Sequence, residues 1–248
     1  LRRLQGIPYI NSTEHAEAYP AKPGCPNQKL GHLQEMGAQF GEHLRTLETV
    51  NFTETPMSPY EFWSKYLQHN RPVHLVGAAA AWVDVDKWND DFFQRNCNLT
   101  DGNKWYALIE RNNRITQNDR HPLMYDWGMC DFIENYGKPE YKNMLYVVTP
   151  LSQYKSTLRE HITLPDVLRC SEVYDALHEA RMWMSGGNTT SSLHFDTHDN
   201  LMLQIDGEKD IFFWHVNDSH LFYLDYHNKF GLSPVNVDRV DLDAFPKF

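Results

Sequence analysis

The chain has 248 residues, enough for one large domain or two small ones; 41% are hydrophobic and 23% charged, so an ordinary globular core is within reach. A formal net charge of −10, with no Lys/Arg cluster to offset it, argues against nucleic acid as a direct partner. No run approaches the about 18 consecutive apolar residues of a membrane span.

In chain order, the first stretch carries Pro8, Pro20, Pro23, Gly24 and Pro26 without periodicity, and residues 1–54 read as an N-terminal arm or linker. The chain starts at Leu1 with no apolar signal core after it, and stops at Phe248 on an apolar, strand-competent stretch. Both ends read as those of a fragment, with any targeting segment removed or unrecorded. The cysteines are Cys25, Cys97, Cys130 and Cys170. No C-x-x-C spacing points to a zinc knuckle, and the sequence does not choose among the possible disulfide pairings. Asn-x-Ser/Thr sequons stand at Asn11, Asn51, Asn98, Asn188 and Asn217. Their number points to the secretory pathway, in the endoplasmic reticulum lumen or outside the cell; a cytoplasmic protein rich in Asn and Thr is the other reading. In an oxidising compartment Asn51 and Asn98 are expected to carry glycans, and Cys97, Cys130 and Cys170 to supply at least one disulfide.

Ser58-Pro59-Tyr60-Glu61 reads as a helix start: Ser58 caps, Pro59 fits the first helical position and Glu61 completes a capping box. Phe62, Trp63, Tyr66 and Leu67 form its apolar face, and it must end before Pro72. Pro72-Val73-His74-Leu75-Val76-Gly77 reads as a short strand closed by glycine. A second helix is expected from Asp126 to Tyr136, stopped by Gly137. Beyond about residue 145 the pattern turns to strands: Leu145-Tyr146-Val147-Val148, then Arg181-Met182-Trp183-Met184 before a Gly186-Gly187 break. Leu201-Met202-Leu203-Gln204-Ile205 and Ile211-Phe212-Phe213-Trp214 flank Asp206-Gly207, a hairpin signal. Helices first and short strands afterwards predict an α+β chain around a sandwich or barrel.

His194 and Asp196 stand two apart in Leu193-His194-Phe195-Asp196. On a strand both would face one side, ~6–7 Å apart along the backbone. Two histidines and a carboxylate on one face of an octahedral ion leave the remaining sites open, the arrangement of non-haem Fe(II) oxygenases. The spacing alone is weak, since His15-Ala16-Glu17 repeats it in the arm. The context is richer: Ser191 precedes His194, and Asn200 and Lys209 follow it.

The run Trp183-Met184-Ser185-Gly186-Gly187, then Ser191-Ser192-Leu193-His194-Phe195-Asp196, Asn200 and Gly207-Glu208-Lys209, resembles the core motif of the JmjC-type, cupin-like Fe(II)/2-oxoglutarate hydroxylases. These include the asparaginyl hydroxylase that acts on the hypoxia-inducible factor. Arg71 to Gly77, followed by Trp82 and Trp88, is similar to the strand leading into that family's core. Val237-Asp238-Arg239-Val240-Asp241 and Ala244-Phe245-Pro246-Lys247-Phe248 resemble a segment before its last core strands. Gly31-His32-Leu33 and the sequons are similar to a secreted, metazoan-type branch.

The resemblance implies a double-stranded β-helix (jelly-roll or cupin) core over residues 55–248, preceded by helices and lacking its last core strands here. It implies His194 and Asp196 as iron ligands, and 2-oxoglutarate as co-substrate. Lys209 would pair with its distal carboxylate, since a buried ammonium needs an anion. Ser191 and Asn200 would hydrogen-bond the co-substrate, and Tyr146 matches a tyrosine that some relatives place on the same carboxylate. Lys209 also reads as a solvated turn residue, and Tyr146 as a core-strand aromatic. The third ligand of the family, a distal histidine on a later strand, has no counterpart; His215, His220 and His227 read as loop histidines. The resemblance implies an oxygenase acting on a protein or peptide side chain; the alternative is a non-catalytic, secreted or luminal binding module that keeps the fold.

With two ligands, the 248-residue chain is expected to bind Fe(II) weakly, to leave 2-oxoglutarate turnover uncoupled, and to self-associate through an open sheet edge. A chain extended to include a distal histidine should bind more tightly. Fe(II) titration and succinate formation, measured side by side, check this; equal turnover by both chains would place the third ligand within these residues.

Overall fold

The computed structural model describes residues 47–98, 107–109, 114–115, 124–125, 128–141, 145–151, 156–224, 231–237 and 240–248. The chain folds into two compact units, each built from separated stretches of sequence.

In the first unit, β1 (Glu48–Asn51) pairs in parallel with β2 (Val73–Val76), from Glu48 opposite Val73 to Asn51 opposite Val76. Residues 48–51, inside the stretch read as arm or linker, are therefore part of a sheet; residues 1–46 lie outside the described residues. The connection is α1 (Pro59–Lys65), which begins where its sequence directs. Ser58 Oγ accepts from the Glu61 N–H at 3.2 Å, and the Glu61 carboxylate accepts from the Ser58 N–H at 3.0 Å. A cap of this kind contributes about 1 kcal/mol. The chain leaves the helix through a short 3₁₀ turn, Leu67–His69, and Asn70 in the left-handed region at φ 53°, just before Pro72. Phe62, Trp63 and Tyr66 are buried, as their helical spacing requires.

A polar cluster fastens the end of α1 to β1. The Tyr66 hydroxyl donates to Glu48 Oε1 at 2.9 Å, and the Arg71 guanidinium pairs with the same carboxylate. Arg71 also lies 5.8 Å from the centroid of the Tyr66 ring. Burial, then the bond to Glu48 and its negative charge, pushes the Tyr66 phenol up to about 12.

After β2, Gly77 sits at φ +79°, and a Cβ there would lie 2.6 Å from the Thr53 methyl. The turn leads into α2 (Ala79–Trp82), where Trp82 packs edge-on against Phe52 at 5.1 Å. Thr163 N–H donates to Trp82 O at 2.7 Å and Asp84 N–H to His161 O at 2.9 Å, tying this turn to the stretch after α5 (Ser156–Arg159). Leu158, Val167 and Cys170 are fully enclosed there.

The second unit holds α3 (Asp90–Asn96) and α4 (Met129–Asn135), joined by the Cys97–Cys130 disulfide. Cys170, in the first unit, is also disulfide-bonded, so the described cysteines are oxidised, as the sequons led one to expect. Helix α4 is shorter than the expected 126–136 span: the Asp131 carboxylate accepts from the Gly128 N–H at 3.0 Å and starts it there. Four strands form a sheet in the order β5 (Met124–Tyr125), β3 (Ala107–Ile109), β6 (Leu145–Pro150), β7 (Arg181–Ser185), all antiparallel. Separately, β4 (Arg114–Ile115) pairs in parallel with β8 (Thr190–Ser191). Leu145 and Val147 of β6 are buried, with Phe132 and Met129 of α4 among the most enclosed side chains of this unit.

Two expectations are corrected. The hairpin around Asp206-Gly207 does not form strands. Gly207 takes φ +71° and its N–H bonds to Asp206 Oδ1 at 2.8 Å, so the turn exists, but residues 201–215 carry no ladder. Ile211, Phe212 and Phe213 are exposed, Phe212 at 70%. A two-stranded ribbon is marginal without a surface to bury its apolar face. In addition, the described residues form sheets of two, four and two strands, with no closed barrel among them.

The Tyr66 cluster gives a test. In the unfolded chain a tyrosine ionises near 10, against about 12 here. The raised value means that this contribution is complete below pH 10 and is lost as pH rises toward 12. Tyr66→Phe should lower stability by about 1–2 kcal/mol at about pH 8. The difference from wild type should shrink as pH rises through the window between the two values, read from urea unfolding midpoints.

Candidate functional site

The candidate residues follow β7. Gly186 turns the chain where a Cβ would lie 2.5 Å from Tyr136 O, so only glycine fits. Gly187 at φ +90° and Asn188 at φ 56° complete the reversal into β8. Ser185 Oγ accepts from the Gly187 N–H at 3.3 Å, holding the turn.

Beyond β8 the chain is not a regular strand. His194 makes an isolated antiparallel bridge with Leu232. Ser233 N–H donates to Leu193 O at 2.7 Å, and Phe195 N–H to Gly231 O at 3.2 Å. The supporting segment is itself anchored: Ser233 Oγ donates to Phe222 O at 2.5 Å and accepts from Val235 N–H at 3.0 Å. Gly231, at φ +57°, lies under the Phe195 ring, and a Cβ there would stand 2.5 Å from Phe195 Cε1.

On this support His194 and Asp196 converge. His194 Nδ1 lies 2.6 Å from Ser192 O. A carbonyl only accepts, so Nδ1 carries the proton and neutral His194 keeps its lone pair on Nε2. Nε2 stands 3.9 Å from Asp196 Oδ1. The other carboxylate oxygen, Oδ2, accepts from Asn200 Nδ2 at 2.7 Å. Two lone pairs are thus turned toward one point, each backed by a hydrogen bond on its far side, as metal-ligating side chains are. Adjacent donors on an octahedral ion with bonds of about 2.1 Å stand roughly 3 Å apart. The pair has the donor chemistry for two positions of such an ion and stands at 3.9 Å, wider than that spacing. Among the described residues no group of three His, Cys, Asp or Glu is placed to hold a metal ion. Both side chains are partly open to solvent, 37% for His194 and 55% for Asp196.

The expectation of one strand is therefore corrected, while the two side chains do face each other. Asn200, expected on the co-substrate, donates to Asp196 instead. Ser191 is exposed on β8, opposite Ile115. Tyr146 is 6% exposed on β6, with its ring edge-on to Trp183 at 5.5 Å, which favours the core-strand reading. Lys209 is a correction: it is exposed, stands on no strand, and belongs to the first unit whereas His194 belongs to the second. With no ladder across 201–215, nothing sets the register that would have turned it inward. His220 bonds Asn217 O at 2.9 Å, and His227 lies outside the described residues. A cavity of about 650 Å³ lies in the first unit between Phe52, Met57, Ala80, Trp82 and Asp166, and no candidate residue lines it.

Sequence reasoning missed Ser192, Gly231 and Ser233. The signal for Ser192 is its place two residues before a histidine. Gly231 carries no signal without the ring above it.

The mixed α and β domain, with its small sheets and its His-x-Asp pair whose Nε2 and Oδ1 face each other, is of the cupin-like class. The chain belongs to the cupin-like domain family, which matches residues 59–248 and includes the JmjC-type proteins. It is 26% identical over 189 residues to Lysine-specific demethylase 8 of Xenopus tropicalis, covering 75% of this chain and 41% of that protein. It is 26% identical over 181 residues to the human Bifunctional peptidase and (3S)-lysyl hydroxylase JMJD7, covering 68% of this chain and 55% of that protein. Lysine-specific demethylase JMJ30 of Arabidopsis thaliana is 23% identical over 188 residues, with 75% and 42% covered. The chain spans about half the length of these curated relatives.

The support under His194 is testable away from the metal. Gly231→Ala should cost roughly 2–3 kcal/mol, because a methyl group meets the Phe195 ring and φ is positive. Adding Phe195→Leu should recover part of that loss. Strictly additive urea midpoints in the double variant would contradict the contact.

Proposed function

We propose that this protein is an Fe(II)- and 2-oxoglutarate-dependent oxygenase that hydroxylates a side chain of a protein or peptide, with residues 55–248 as its jelly-roll catalytic domain. The observation that carries this reading is the His194–Asp196 pair, with Nε2 and Oδ1 facing each other at 3.9 Å. Two relatives are named for oxidative chemistry on lysine, one as a demethylase and one as a lysyl hydroxylase, which supports a C–H bond of a side chain as the target.

His194 Nε2 and Asp196 Oδ1 would hold the iron. Bound there with 2-oxoglutarate, Fe(II) supplies the oxidising chemistry that puts oxygen into a C–H bond. The chain's own residues position the donors. The Ser192 carbonyl, accepting from Nδ1–H, fixes the His194 tautomer and ring plane. Asn200, donating to Oδ2, stops the carboxylate from rotating and leaves Oδ1 free. Of the expected contacts of 2-oxoglutarate we retain Ser191, which lies in the same unit as His194 and is exposed on β8. The compartment we propose is the secretory pathway, supported by oxidised cysteines and the sequons. Among the described residues no helix is long and apolar enough to cross a membrane.

A second reading, a non-catalytic binding module, draws on one observation: no third donor accompanies the pair among the described residues.

Metal titration separates the two. Under anaerobic conditions the full-length protein should bind Fe(II), or Mn(II) as its stand-in. Asp196→Ala and His194→Ala should weaken binding by at least roughly tenfold, and Asn200→Ala by about 10–100-fold without touching the ion. Succinate formation should follow the same order. Unchanged affinity in Asp196→Ala would end the oxygenase reading in favour of the binding module.

A further inference from the structure

We infer that Asn51 is an N-glycan acceptor: a modification site on the first unit, remote in sequence from His194. It rests on the secretory reading above and adds a position to it.

Asn51-Phe52-Thr53 is the sequon whose geometry is open at both ends. Phe52 is buried, 7% exposed, and its ring is held by Trp82. Asn51 and Thr53, on either side, are exposed. Phe52 N–H bonds to Val76 O at 2.9 Å, so the central residue is stitched to β2 while its neighbours face outward. Asn51 Oδ1 accepts twice, from the Thr53 hydroxyl at 2.7 Å and from the Thr53 N–H at 3.2 Å. This side-chain turn presents the carboxamide and the hydroxyl together. Both bonds use the oxygen, so neither engages Nδ2, the atom that would carry the sugar. The Thr53 methyl packs toward Gly77, which fixes the side of the turn on which the hydroxyl stands.

The sequons at Asn217 and Asn188 are less open. Ser219, the hydroxyl partner of Asn217, is buried at 7% exposure. Thr190, the partner of Asn188, is in β8, opposite Arg114, and Asn188 itself holds the reversal toward His194 at φ 56°. Asn98 is exposed, with its Oδ1 3.6 Å from Cys130 Sγ beside the disulfide, and its partner Thr100 lies outside the described residues.

The co-reactant is an oligosaccharide joined through its first sugar to a polyisoprenyl diphosphate. In the transfer, the bond from sugar C1 to the diphosphate oxygen breaks and a bond from C1 to Asn51 Nδ2 forms. Nδ2 gives one proton to a base of the transferase, and the lipid diphosphate leaves with the electron pair. No group is oxidised or reduced. The acceptor must be exposed, which Asn51 satisfies at the last position of β1, where the strand gives way to the turn that begins at Phe52.

The test uses the full-length protein from its source cells, digested after glycosidase treatment in ¹⁸O-labelled water, which converts each glycosylated Asn to labelled Asp. Label at Asn51 is the expected result. Unlabelled Asn51 with label at another sequon overturns the site while leaving the secretory reading intact. No label anywhere overturns both. In a eukaryotic secretory host, Thr53→Ala and Asn51→Gln should each remove one glycan, and Thr53→Ser should retain it. All three should keep the wild-type melting temperature within a few degrees. An unchanged glycan count in Asn51→Gln overturns the proposal even if a variant folds poorly.

Discussion

Two backbone hydrogen bonds hold the candidate site in place, from Ser233 to Leu193 and from Phe195 to Gly231. They brace the His194 backbone on both sides without a regular strand, and every side-chain contact in the site is built on that position. Each contributes only about 1 kcal/mol net, so their value lies in direction more than in strength. A chain free to rotate at His194 would lose the facing arrangement of Nε2 and Oδ1, since an imidazole one torsion away points elsewhere. The brace is itself braced, because Ser233 is buried and its hydroxyl is used twice, toward Phe222 and from Val235. Glycine at 231 allows the close approach that brings the two segments together.

The chemistry follows from that placement. One donor atom of each proposed ligand is occupied by a neighbour and the other is left open: Nδ1 by a carbonyl, Oδ2 by an amide. The division is what a bound cation would require, since the hydrogen bonds set tautomer and torsion in its absence. The pair is also partly exposed, so an ion bound there would keep part of its water shell on the solvent side. Oxidative chemistry needs that side covered by substrate or by further chain.

The first unit is organised around different physics. Its parallel pair β1–β2 is joined by a capped helix, and the Tyr66–Glu48–Arg71 cluster ties helix end to strand start. A carboxylate shared between a phenol and a guanidinium keeps its charge compensated in partial burial. The same unit carries the outward-facing Asn51 turn. Disulfide-bonded cysteines occur in both units, and the Cys97–Cys130 link joins two helices across a sequence separation of 33.

Much of this was legible from residue order, wherever the deciding interaction is local. Ser58, Pro59 and Glu61 determine where α1 begins because capping acts within one helical turn. Pro72–Gly77 and Leu145–Val148 read as strands because β-branched and aromatic side chains suit a pleated surface, and the structure has strands at Val73–Val76 and Leu145–Pro150. The His194–Asp196 spacing identified the pair, and the surrounding motif its family. What depends on distant partners could not be read. Asp206-Gly207 does make its turn, yet the flanking runs form no strands, since a ribbon needs a face to bury and sequence does not say whether one is there. Lys209 loses its expected direction for the same reason. The parallel partner of β1, the Cys97–Cys130 pairing and the glycine beneath Phe195 were settled only by tertiary structure, because each joins residues whose proximity no local rule encodes.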